Sequence, residues 1–215
     1  MTREPGQWTA DNEVRPAPAP LDRVQSLVNT VDMEIGQDRL ARLEDARPWL
    51  VGQGLLDAGA DAALTEGELG RIREVREAFR ALLVHNAGGP PAAPDQVAVL
   101  AEVAAAGELR AAIGGDGVVA MRAVGTAPME RLAELLVVVR DAQRDGTWER
   151  LKACGNVDCR WAFYDRSRNR GGAWCDMAAC GNRLKNRDFR ARNRAAGSDR
   201  QVPDQGGRQR AHPVE

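Results

Sequence analysis

The stretch CGNVDCRWAFYDRSRNRGGAWCDMAACGNRLKNRDFRARNR, residues 154–194, decides how the C-terminal part of the chain folds. It holds all four cysteines of the 215-residue sequence, Cys154, Cys159, Cys175 and Cys180, spaced C-x4-C-x15-C-x4-C. Two close pairs joined by a linker long enough for a hairpin point to one closed metal site, because Zn²⁺ favours four thiolates in a tetrahedron. An iron–sulfur cluster uses the same ligands at shorter or less symmetric spacings. Disulfides stand third, since the chain shows no signal-peptide core and is expected in the reducing cytoplasm. Gly155 and Gly181 each follow a cysteine and are expected to permit tight turns that aim backbone N–H groups at sulfur.

Between the pairs, WAFYD and GAWC are expected to form a hairpin with SRNRGG as its turn. Trp161, Phe163, Tyr164 and Trp174 then supply the core that a metal-stapled unit of this size requires. A helix follows, capped either by Asp176 or by Asn182 and fading at Gly197. At 100° per residue Arg183, Arg187, Arg190 and Arg194 fall in a wedge of about 60°. With Lys185 on the same helix and Arg166, Arg168 and Arg170 in the turn, they form a candidate surface for phosphate.

The net charge of −1 conceals an uneven distribution. Residues 1–150 carry 16 Lys and Arg against 24 Asp and Glu, whereas residues 151–200 carry 12 against 5. A basic segment next to an acidic one is a hint of nucleic-acid contact by the basic part. Membrane residence is not expected, because the longest apolar run, around Leu135–Val139, falls far short of the ~20 residues a spanning helix needs.

Upstream, residues 1–20 are rich in Pro, Ala and charge and are expected to be a disordered lead-in. Leu21, Val24, Leu27, Val28 and Val31 recur at helical spacing, and a short helix is expected at Asp45–Val51. Thr65 and Glu68 form a capping box before the stripe Leu69, Ile72, Val75, Phe79 and Leu82 or Leu83, which NAGGPP ends. Asp95 is the expected cap of an alanine-rich helix to Ala106. ELRAAI and GVVAMRAV flank GGDG as a hairpin, and Thr126 opens a last helix that stops at Gly146. The fold class is therefore α+β: a mostly helical N-terminal domain with a small hairpin over 21–146, a small four-cysteine zinc finger of β-hairpin and helix over 147–196, and a disordered tail over 197–215. DGTWERLKA between the domains reads as a short tether.

No nucleophile, base and orienter assemble from this sequence, so no enzyme is expected. His85 closes the capped helix, where a cation suits the dipole. GGDG lacks the helix and Lys-Ser or Lys-Thr of a phosphate-binding loop.

The C-terminal segment resembles the CGNR zinc finger, whose motif stands here as Cys180-Gly181-Asn182-Arg183, with FYDRSRNR and AWCDMAACGNR matching its wider pattern. LVNTVD near Leu27 and RPWLVGQG near Trp49 are similar to the opening of the ABATE domain, which such fingers usually follow. The resemblance implies a stress-induced transcription regulator with a DNA-binding finger, a zinc cofactor and an N-terminal domain that senses a small-molecule effector. Val157 replaces a proline frequent in the family, and Gly171-Gly172 replaces basic residues, which is expected to remove a phosphate contact. A homodimer is a further expectation. Two alternatives stay open: RNA binding, which requires Trp161, Phe163 and Tyr164 to be exposed for stacking, and a zinc-stabilised interaction or redox-sensing module.

Overall fold

The computed structural model describes Trp8, Asp11 and residues 13–59 and 64–182. In chain order it contains α1 (Asp22–Val28), β1 (Val31–Asp32), β2 (Gln37–Asp38), α2 (Leu43–Gly52), α3 (Glu66–Asn86) and α4 (Pro94–Ala106). There follow β3 (Leu109–Ile113), β4 (Val119–Ala123), α5 (Pro128–Asp145), a 3₁₀ turn (Trp148–Arg150), β5 (Leu151–Ala153), β6 (Ala162–Tyr164) and a π-helical turn (Met177–Gly181). Three antiparallel pairs, β1–β2, β3–β4 and β5–β6, accompany the helices, so the class is α+β.

α3 is the central element, and its sequence explains why. Thr65 Oγ1 accepts from Glu68 N–H while Glu68 accepts from Thr65 N–H, which satisfies two of the amides a helix start leaves open. Leu69, Ile72, Val75, Phe79 and Leu83 then form a buried stripe that meets α1, α2, α4, α5 and β5. At ~1.5–3 kcal/mol per fully buried large side chain, this one face is a major part of the core's stabilisation. α5 buries Leu132, Leu135, Val138 and Val139 and ends at Gly146, whose φ of 77° is left-handed and suits glycine.

Several local details differ from the sequence reading. α4 starts on Pro94 rather than under an Asp95 cap, with Gln96 accepting from Ala93 N–H at 2.9 Å. Glu130 plays the same part for Ala127 N–H at α5, so Thr126 is not the cap. Proline at the first helical position needs no N–H partner, and the side chain three residues on then serves the residue before it.

The larger corrections concern the junction of the two halves. β6 pairs with β5 on the N-terminal side of Cys154, in the register Leu151↔Tyr164, Lys152↔Phe163, Ala153↔Ala162. GAWC is not a strand; it lies beside the first knuckle, where Ala173 C=O accepts from Gly155 N–H at 2.8 Å. The supposed tether is also built into the fold: its Trp148, Leu151 and Ala153 belong to the same core as α3, together with Ala162 and Tyr164 of β6. Nor is the lead-in free of structure over its described part. Tyr164 N–H donates to Arg15 C=O at 3.1 Å, Glu13 accepts from Trp161 Nε1 at 2.9 Å, and Ala17 is buried. A Pro-rich segment has few internal hydrogen bonds to lose, so an exposed strand edge on β6 is enough to order it.

Candidate metal centre

β5 leads directly into Cys154, and β6 leaves the first knuckle just after Cys159. The second pair is set by a different device. Asp176 accepts from the N–H groups of Ala178 and Ala179 at 2.6 and 2.9 Å and starts the π-helical turn that carries Cys180 inward. Of the two caps weighed from the sequence, it is therefore Asp176 that opens this turn. The four Sγ atoms lie within 4.8 Å of one another, and Cys154, Cys159 and Cys180 are buried while Cys175 is half-buried.

Cys159 Sγ is 3.6 Å from Cys175 Sγ, which is 3.8 Å from Cys180 Sγ. These separations are far too long for disulfides, whose sulfurs stand about 2.05 Å apart. A tetrahedron with metal–sulfur bonds of ~2.3 Å has edges of ~3.8 Å, so the donor set fits a single ion. A cluster of several irons needs its ligand sulfurs farther apart.

Electrostatics favour the same reading. Hydrogen bonds from the thiols of Cys159 and Cys175, helped by the N–H groups of Cys175 and Asn156, pull the Cys154 thiol down to about 2. Once that thiolate exists, its hydrogen bonds and charge push the Cys159 and Cys175 thiols up, and burial pushes up Cys180. Four thiols this close cannot all ionise alone; a divalent cation is what would let them.

Backbone donors to sulfur include the N–H groups of Cys175 and Asn156 to Cys154 and Trp161 N–H to Cys159, with the Asn156 side-chain amide 3.8 Å from Cys180. Gly155 sits in the turn that brings the Asn156 N–H to Cys154, as the sequence reading expected of it. Gly155 and Gly181 both lie against the Trp174 indole: a Cβ on Gly181 would come within 2.5 Å of it, and one on Gly155 within 3.5 Å. At Gly181 the ring and Met177 leave no room for a side chain, whereas at Gly155 the tightest neighbour is Ala173 C=O at 3.1 Å. Asn156, missed in the sequence reading, had a visible signal, since Cys-Gly-Asn occurs at both 154–156 and 180–182.

Lys152 and Asp165 were also missed. Lys152 Nζ, in a residue 5 % exposed, donates to Asp165 at 2.9 Å, to Gly172 C=O at 3.3 Å and to Arg170 C=O. Asp165 accepts in addition from Ser167 N–H at 3.0 Å and Gly172 N–H at 2.7 Å. Burial alone would raise its carboxyl, but the hydrogen bonds from Ser167, Lys152 and Gly172 outweigh that and hold it below the ordinary carboxylate range. A Cβ on Gly172 would stand 2.8 Å from the Asp165 carboxylate, so a basic residue has no room there. The glycine serves the loop's anchor.

That anchor fixes the loop bearing three of the sequence-selected cations, all exposed. Arg166 donates to Pro16 C=O at 3.0 Å, Arg170 pairs with Glu149 at 3.3 Å, and Arg168 makes no ion pair among the described residues. Arg183, Lys185, Arg187, Arg190 and Arg194 lie outside the described residues. Of the rings that RNA stacking requires, Phe163 and Tyr164 are buried and Trp161 is half-buried.

The metal centre is tied to α1 and α3 by buried polar side chains. Asn29 accepts from Ala162 N–H at 2.8 Å and donates to Ala162 C=O at 2.9 Å, pairing with β6 as a neighbouring strand would. Gln25 donates to the same carbonyl at 3.1 Å, and Arg80 donates to Arg160 C=O at 2.9 Å and Val28 C=O at 2.7 Å. Asn29 belongs to the LVNTVD stretch, so that stretch is where the helical part grips the finger.

Among the described residues, no helix is long and apolar enough to cross a membrane. The family model of the CGNR zinc finger matches residues 150–193. The ABATE model, described as "Putative stress-induced transcription regulator", matches residues 21–144. No curated protein matches the chain. With more than half its length matched, the chain belongs to the ABATE family and carries a CGNR zinc finger at its C-terminal end.

Proposed function

We propose that the protein is a non-catalytic, DNA-binding transcription regulator whose finger holds one Zn²⁺ on Cys154, Cys159, Cys175 and Cys180. Zinc suits four thiolates in a closed site and contributes folding free energy without redox chemistry. The observation that carries DNA binding is the exposed Arg166–Arg170 loop, held in place beside the cysteines by the buried Lys152–Asp165 pair. A preorganised loop loses little conformational entropy when its guanidinium groups meet phosphates. The continuous run from Arg183 to Arg194 supplies further cations in the sequence. Burial of Phe163 and Tyr164 weighs against base stacking and so against RNA.

The test is a salt titration of duplex-DNA affinity with zinc-loaded protein. Each phosphate contact contributes roughly 0.9 to the slope of log K against log salt, so Arg166→Ala with Arg168→Ala should lower the slope by about one to two. An unchanged slope, with the run 183–194 also neutralised, would sink the proposal.

The same reading includes an effector on the helical part. A recess of about 960 Å³ between β4, α5 and the end of α2 supports it, lined by Val119, Met121, Arg23, Arg122, Arg131 and Glu134. Guanidinium groups beside an apolar wall suit a small organic acid. Its sign would be a change in DNA affinity on adding such acids that Arg122→Ala abolishes.

A further inference from the structure

β3 is an edge strand with nothing to guard it. Its sequence, LRAAI, contains no Pro and no Lys, and the strand runs without a bulge through five paired residues. Ala111, Ala112 and Ile113 are exposed, Ile113 by 75 %. The single charge in the strand, Arg110, is turned back onto Glu108 at 3.0 Å.

The hydrogen-bond phase of the hairpin identifies the free atoms. Glu108 C=O accepts from Val124 N–H and Gly114 N–H donates to Val118 C=O, both at 2.9 Å. With the register Leu109↔Ala123 to Ile113↔Val119, the even-numbered residues 108, 110, 112 and 114 therefore bond to β4. Leu109, Ala111 and Ile113 turn their N–H and C=O groups outward, and these have no partner among the described residues.

We infer that this edge pairs with the same edge of a second copy of the chain, antiparallel about a two-fold axis at Ala111. In that register Leu109 stands opposite Ile113 of the other copy, Ala111 opposite Ala111, and Ile113 opposite Leu109. Those are the outward-pointing residues, so each of the three pairs makes two backbone hydrogen bonds and no free group is left in the strand. Leu109 and Ile113 form apolar cross-strand pairs. Arg110 falls opposite Ala112 rather than its own copy, so no like charges meet. A two-fold placed at Leu109 or Ile113 keeps the phase but carries the pairing outside the strand at one end.

The proposal goes beyond DNA binding and does not depend on it. Sedimentation of the full-length, zinc-loaded protein should give twice the chain mass. Ala111→Lys and Ala111→Glu each place two like charges opposite one another at the axis, and each variant alone should sediment as a monomer. Their circular dichroism and zinc content should match the wild type, because Ala111 is exposed in the single chain. An equimolar mixture of the two should recover the dimer, since lysine then faces glutamate. A monomeric wild type at micromolar concentrations, an undiminished dimer of the lysine variant, or a mixture that stays monomeric would overturn the inference.

Discussion

β5–β6 pairs three residues with three and buries all six, whereas β3–β4 pairs five with five and leaves most of them in solvent. The shorter hairpin is the one built into the core. The outer edge of β6 is covered by Asn29, Gln25 and the Arg15 carbonyl, while the outer edge of β3 meets nothing among the described residues. Length and regularity of a hairpin thus say little about its energetic weight; the partners of its backbone and side chains decide it. If this is right, perturbations near β5–β6 should unfold the protein and those near β3–β4 should leave its monomer intact.

The largest effect is expected from the metal. Apparent zinc-binding free energies of ~10–16 kcal/mol match or exceed the ~5–15 kcal/mol stability of a typical domain. Cys154→Ser should abolish zinc binding and, because Leu151, Ala153 and Ala162 share the main core, lower the thermal midpoint of the whole chain. Zinc content by mass spectrometry and a calorimetric scan check this. A variant that loses zinc yet melts like the wild type would show that the finger and the core are energetically separate.

Next comes the buried ion pair. Removing one partner leaves an uncompensated charge, so Lys152→Met should cost about 3–5 kcal/mol in denaturant titrations. The pair also sets a pH dependence. Because the folded Asp165 carboxyl lies below its unfolded value, its contribution is present above the ordinary carboxylate pKa of about 3.9 and fades as pH falls below that. The wild type should therefore lose more stability than Lys152→Met between about pH 5 and pH 3.

Asn29→Ala tests the junction itself. It strips the buried Ala162 N–H of its acceptor, at a cost of about 1–3 kcal/mol, while Ala162 C=O keeps Gln25 as a donor. Asn29→Asp should be no better, since the carboxylate would face both Ala162 C=O and Glu13. Amide exchange should show the extra opening at Ala162 and Tyr164 before it appears in α3. Exchange that rises uniformly would mean that Asn29 supports the core at large and not this junction.

Much of this architecture was legible, and the boundary of legibility follows the range of the forces. The α3 capping box, the GGDG hairpin and Gly146 depend on neighbours within a few residues, and sequence displays such neighbours directly. The four cysteines were readable because metal ligation restricts residue type more than position. What escaped was every pairing across the chain: β6 with Leu151–Ala153, Asn29 with Ala162, Lys152 with the loop of Asp165. Arg76 and Arg80 were hidden differently. They lie on the buried stripe of α3, where a charged residue reads as a boundary until its carbonyl and carboxylate partners, Val28, Arg160 and Asp38, are in view.

The smallest effect is expected at Arg110, and its sign sharpens the contrast most. Arg110 stands directly opposite Arg122 across β3–β4. Like charges facing one another in a sheet are unfavourable by a few tenths of a kcal/mol, here screened by Glu108 beside Arg110 and Glu134 beside Arg122. Arg110→Thr removes the repulsion and adds a β-branched residue, while the Glu108 side chain, 67 % exposed, keeps its hydration. The thermal midpoint should stay level or rise, corresponding to no more than about 0.5 kcal/mol. Ala162→Thr, at a position fully buried between Asn29 and β5, should be costly because it adds volume and a hydroxyl inside a packed core. A drop of more than about 1 kcal/mol for Arg110→Thr would mean that β3–β4 carries weight in the monomer after all, and that its exposure in isolation is misleading about its role.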